Sequence, residues 1–177
     1  MTAIERRAAE LEIRAKGRKL EGYAAIFGSR AKIADFDEEI RSGAFAESLQ
    51  ARGDILALVD HMPTQLLART RNGSLKLSED TRGLAFEIDL PQTTLANDIL
   101  ALAEARSLGG ASLGFIAKRD EWKGSLRTLH TVDLREISIV SAWPAYPETS
   151  VTARSAATAV RNLYDRRLSL LELAGMI

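Results

Sequence analysis

Short apolar runs of strand length, each closed by a turn signal, recur through most of this 177-residue chain and leave little choice of fold class. Leu11, Ile13 and Ala15 face one way and Glu12, Arg14 and Lys16 the other, the period of two that belongs to a strand. Gly17-Arg18-Lys19 is a turn, and Lys19 to Phe27 reads as the returning strand. Asp54 to His61 is a nearly continuous apolar run, as in a strand covered on both faces, and it ends on Asp60 and His61 just before Pro63. Gln65–Thr70, Ser74–Ser78 and Leu84–Leu90 follow at close spacing, with Asn72-Gly73 as a hairpin signal between the first two. Ala111–Ala117, Leu126–Val132 and Leu134–Ala142 complete the set. Strands this short and this evenly spaced belong to a barrel or a sandwich.

Helical signals interrupt this pattern in three places. Ser42 has the chemistry of an N-cap, Phe45 and Leu49 share a helical face, and Gly53 closes that short helix. Leu95, Ile99, Leu102 and Ala103 mark a helix over about 93–107, capped by Thr93 or Thr94 and broken by Gly109-Gly110. From Ser155 onward, Val160, Leu163, Tyr164, Leu168 and Leu171 recur at three- and four-residue spacing, which describes an amphipathic helix. The expected organisation is one domain over residues 1–154 and a helical tail over 155–177. Asp35 to Ile40 carries four acidic residues and reads as a solvated edge or loop.

Composition narrows the chemistry. With no cysteine there is no disulfide, thiolate metal site or cysteine nucleophile, and two histidines exclude a histidine-rich metal site. Twenty-four basic residues balance twenty-four acidic ones, so no nucleic-acid surface is expected. No apolar run reaches the roughly 18 residues that span a membrane, and the N-terminus lacks the apolar core of a signal peptide. A soluble, intracellular protein is expected. Walker, GxGxxG, HExxH, GxSxG and EF-hand motifs are all missing, and no cofactor or metal is called for.

Any nucleophilic catalyst here must therefore use serine or threonine, with His61 or His130 as base. His61 ends a buried strand at a rim, where side chains meet ligands, whereas His130 lies mid-strand between Leu129 and Thr131. An ordinary structural histidine is the simpler reading of each. Ser112 is flanked by Gly109, Gly110 and Gly114, which let a ligand approach the backbone and its amide donors. Leu134, Glu136 and Ser138 share one strand face, and by pattern alone Glu136 reads as an exposed carboxylate.

Several segments occur in a telling order: Leu58-Val59-Asp60-His61, Leu75 to Leu84, Ser112-Leu113-Gly114-Phe115, Val132 to Ser138, and Pro144-Ala145-Tyr146-Pro147. Together, over about residues 11–154, they resemble the HK97-type phage prohead proteases, serine proteases of capsid maturation related to the herpesvirus assemblins. The resemblance implies a mainly β fold with helices (α+β), a small antiparallel barrel of the assemblin type. It implies a catalytic set of His61, Ser112 and an acid, with Glu136 the first choice and Asp133 the second. Assemblins use a second histidine as third member, but His130 lies outside the matching motif and is set aside. Gly109, Gly110 and Gly114 mark where backbone amides would hold an oxyanion. The implied substrates are the scaffold segment of the capsid precursor and the protease itself, in the host cytoplasm inside the assembling prohead. The tail is then either a pro-segment or targeting segment removed by self-cleavage, or a packing and oligomerisation helix. A non-catalytic scaffold or capsid-binding module with the same fold is the alternative.

Overall fold

The computed structural model describes residues 4–9, 13–51 and 53–141. The expected tail over 155–177, the boundary near Arg154, and Pro144 and Pro147 lie outside these residues. Eleven strands and two α-helices are described. The strands are β1 (Glu5–Ala9), β2 (Ile13–Lys16), β3 (Lys19–Ile26), β4 (Ala31–Ile33), β5 (Phe36–Ile40), β6 (Leu56–Val59), β7 (Met62–Arg69), β8 (Leu75–Glu79), β9 (Gly83–Asp89), β10 (Gly110–Lys123) and β11 (Leu126–Val140). The helices are α1 (Ala46–Gln50) and α2 (Thr94–Glu104).

The mainly β expectation holds. These strands form two sheets that do not close into a barrel: a four-stranded antiparallel one in the order β2-β3-β9-β8, and a seven-stranded one. The larger sheet runs β1-β10-β11, where β11 branches on its far side. Its residues 126–129 pair with β5 and its residues 136–139 pair with β6. Both of those pairings are parallel, while the other strand pairings are antiparallel. Leu20, Leu84 and Ile88 of the smaller sheet and Phe115, Leu129 and Ile137 of the larger belong to one fully buried core. Helix α2 adds Ala96, Ile99 and Ala103, a single stripe at helical spacing.

Several elements differ from expectation. The two strands expected over 126–142 are one strand, and the reason is visible at its middle. Between β5 and β6, β11 has no strand neighbour on that side among the described residues, and α1 with the turn before it supplies partners. Ser48 Oγ donates to the Val132 carbonyl at 2.7 Å and accepts from the Leu134 amide at 2.9 Å. The Ala44 carbonyl takes the Val132 amide at 3.0 Å. With its backbone satisfied, the strand continues through Asp133. Ser42 is not a cap: α1 begins after Phe45 with no side-chain hydrogen bond, whereas Thr93 Oγ1 does accept the Ala96 amide at α2. The acidic run 35–40 is not a solvated loop but contains strand β5, with Glu38 only 3% exposed. Arg7 and Arg127 pair with Glu38 and account for its burial. Strands β1 and β4 carried no periodic signal that stood out from their charged residues. Strand β10 also runs six residues past Ala117, because β11 pairs with it as far as Lys123.

Strand β7 starts at Met62, three residues earlier than expected, and this shortens the β6–β7 connection to Asp60 and His61 alone. Both residues have positive φ, 49° and 59°, the backbone signature of a tight type I′ hairpin turn. Pro63 is tolerated because it falls in the irregular stretch between the pairs Val59 with Met62 and Leu58 with Leu66, where no ladder partner is taken among the described residues.

Candidate active site

Residues with φ > 0 that are not glycine carry strain and must be held in place. Strand β11 does so here. The Asp60 amide donates to the Ile139 carbonyl at 3.0 Å, and the His61 amide donates to Ser138 Oγ at 3.2 Å. The Asp60 carboxylate in turn accepts from the Ser141 amide at 2.9 Å and from its hydroxyl at 2.7 Å. Asp60 thus serves the turn rather than the chemistry. The clamp hangs His61 over the face of the β10–β11 ladder.

On that ladder Ser112 lies opposite Ser138, and Gly114 lies opposite Glu136. Residues two apart on a strand share a face, so Ser112, Glu136 and Ser138 converge beneath the imidazole. His61 Nε2 is 2.7 Å from Ser112 Oγ, and His61 Nδ1 is 2.7 Å from Glu136 Oε1. A hydroxyl, an imidazole and a carboxylate are therefore joined in one hydrogen-bonded line. Ser112 is fully buried, Glu136 is 6% exposed, and His61 is partly open. Glu136 is thus not the exposed carboxylate that strand pattern alone suggests.

Burial works to raise the Glu136 pKa, but the hydrogen bond from His61 and the charges of His61 and Arg6 outweigh it. The carboxyl is held below its usual value and stays ionised. Arg6 Nε lies 3.4 Å from the same Oε1 that faces His61. An ionised Glu136 selects the Nδ1–H form of the ring and leaves Nε2 free to accept the serine proton.

Gly114 has a steric part in this geometry. A Cβ at that position would sit 2.5 Å from Glu136 Oε1 and 2.6 Å from its Cγ, so only glycine leaves room for the carboxylate. The Gly109 amide is already spent on the Val140 carbonyl at 2.8 Å. Gly110 lies in the β10–β11 ladder opposite Val140, with φ 135°. Asp133 does not reach His61 and instead accepts from Arg135 Nη2 at 2.6 Å. His130 faces Glu121 at 3.3 Å, away from this cluster. Sequence reasoning did not single out the holding roles of Ser138 and Ser141, or the approach of Arg6 and Arg7. The first was legible as a second polar residue on the Glu136 face, while the others depend on strand pairings with no local signal.

Fold and site together define a mainly β protein carrying a serine–histidine–carboxylate line. A family model described as caudovirus prohead serine protease matches residues 2–162. The chain belongs to that family, which supports a protease role in phage capsid maturation, on capsid precursor proteins within the assembling prohead. No curated protein and no solved structure matches it. Among the described residues, no helix is long and apolar enough to cross a membrane.

Proposed function

We propose that this chain is a serine endopeptidase that cleaves the scaffold segment of the capsid precursor, and itself, with Ser112, His61 and Glu136 as its catalytic set. The observation that carries this reading is the double contact of His61, 2.7 Å to Ser112 Oγ and 2.7 Å to Glu136 Oε1. Ser112 Oγ attacks the scissile carbonyl carbon while His61 Nε2 takes its proton. Glu136 keeps the Nδ1 proton in place and stabilises the imidazolium. The tetrahedral intermediate collapses as His61 passes the proton to the leaving amine. A water, deprotonated in its turn by His61, then releases the acyl group. This reading assigns the oxyanion to backbone amides of the Gly110–Gly114 stretch of β10.

The rival reading is a non-catalytic capsid-binding module of the same fold. It draws on a single observation, the complete burial of Ser112. Coexpression with the capsid precursor separates the two. Ser112→Ala and His61→Ala should each abolish processing, and processing at the unaltered rate in both would refute the catalytic assignment.

A further inference from the structure

Strand β10 carries Ser112, and over residues 111–115 both of its edges are filled. One edge belongs to β11. The other belongs to β1, an edge strand that pairs Ala9 with Ala111, Ala8 with Ser112 and Arg7 with Leu113. β1 touches the site at two points. The Arg7 carbonyl accepts from Ser112 Oγ at 2.8 Å, and Arg6 reaches the Glu136 carboxylate. Ser112 has one proton for two acceptors, and a proton given to the Arg7 carbonyl is not aligned for transfer to His61 Nε2. A peptide carbonyl thus already stands beside the nucleophile, and it belongs to the chain itself.

β1 is also fastened more firmly than five residues of edge strand require. Arg7 donates to Glu38 at 2.5 and 2.9 Å and to Glu5 at 2.7 Å. Arg127 of β11 holds Glu5 at 2.6 and 3.0 Å and Glu38 at 3.1 Å. Arg7 also lies over the Phe115 ring, 5.6 Å from its centroid. These groups are largely buried, so their attraction is little screened by salt.

We infer that β1 occupies the position an extended substrate takes on β10, so that the protein is latent until β1 leaves and a substrate segment adds to that edge in its place. This rests on the serine-protease reading of Ser112. Strand addition to a sheet edge is a general way to bind an extended peptide. Every second amide of β10 points toward β1, and those amides can take a substrate carbonyl or an oxyanion only once β1 has withdrawn.

The chain contains no cysteine, so β1 can be locked by design. Ala9 and Ala111 are register partners. Antiparallel partners stand about 4.5–5.5 Å apart at Cα, within the span of a disulfide. The experiment measures labelling of Ser112 by a fluorophosphonate, read by mass spectrometry on the whole protein. In that reaction an Oγ–P bond forms, the P–F bond breaks, fluoride leaves and the hydroxyl proton passes to His61.

The oxidised Ala9→Cys/Ala111→Cys protein should label at least tenfold more slowly than the same protein reduced. Ala9→Pro removes a β1 amide that faces β10 at Ala111 and disfavours β1 pairing. It should label at least tenfold faster than the unaltered chain, and a synthetic peptide of residues 4–9 added to it should slow labelling again. Equal rates in the oxidised and reduced forms would overturn the inference while leaving the serine-protease reading intact. Ser112 unlabelled in every form, Ala9→Pro included, would overturn that reading and the inference with it. If Ala9→Pro does not fold, the oxidised and reduced pair decides alone.

Discussion

His61 can reach both partners only because its own backbone is in a left-handed conformation, held there by Ser138 and by the Asp60–Ser141 contacts. Removing the Ser138 hydroxyl should therefore act on the imidazole without touching it. Ser138→Ala should cost about 1 kcal/mol of stability, the net worth of one hydrogen bond, measured by urea unfolding, and should lower kcat more than it raises KM. Gly114→Ala is a sharper test of the carboxylate's placement. A Cβ there must push Glu136 aside, and a displacement of about 1 Å at a catalytic group costs on the order of 10²-fold. Peptide hydrolysis should fall by that factor while the circular dichroism spectrum is unchanged. Glu136→Gln keeps the shape but loses the charge that selects the ring tautomer. Under the proposed assignment its kcat should drop by about 10⁴-fold.

Among the elements, α1 and β11 show how a five-residue helix with no side-chain cap can still be indispensable. Its contribution is Ser48, which serves the two backbone groups that β11 leaves open between β5 and β6. Ser48→Ala strands a part-buried carbonyl and amide, and should destabilise the protein by about 1–3 kcal/mol, seen as a lower denaturation midpoint. Ser42→Ala, at the residue whose sequence suggests a cap, should change stability by no more than about 0.5 kcal/mol. Thr93→Ala, at a cap that does form, should cost about 1 kcal/mol. The two sites look alike in sequence. They differ because the chain after Ser42 makes backbone turns before the helix starts, with the Ala44 amide bonded to Arg41 and the Ala46 amide to Gly43.

For the molecule as a whole, carboxylates paired with cations set the response to acid. The Glu5 pKa is raised by burial but lowered further by its hydrogen bond to Arg127 and the charges of Arg127 and Arg7, and it ends below 4.5. Glu136 ends below 4.5 as well, and Glu87, between Lys19 and Lys76, at about 2. A carboxylate that titrates lower in the native state than in the unfolded chain makes the unfolded chain bind more protons between the two values. That stabilisation is present above about pH 4.5 and is lost as the pH falls through the lowered native values. Urea midpoints should be flat from pH 7 to 5 and fall steeply toward pH 2, with a shallower fall in Glu136→Gln. Arg127→Met, which leaves Glu5 and Glu38 with Arg7 alone, should cost about 3–5 kcal/mol, because breaking a buried pair exposes the remaining charge to the low-dielectric interior.

By itself, the sequence determined the mainly β class, the capped helix α2, the buried strand that leads to His61, and the residues of the site as a short set of candidates. These rest on local patterns: alternation, turn chemistry and an ordered series of motifs. The resemblance ranked Glu136 ahead of Asp133, but strand pattern alone did not separate them. The two lie three residues apart on one strand, and only pairing with β10 and the placement of the β6–β7 turn decide which of them meets the imidazole. Burial of Glu38 within an acidic run, and the unbroken course of β11, were hidden for the same reason. Each depends on a partner tens of residues away, Arg7 and Arg127 in the first case and Ser48 in the second. Tertiary structure alone brought the first strand of the chain across the edge of β10 and set the Arg7 carbonyl against Ser112, because strand pairing between residues about a hundred positions apart leaves no mark on either segment.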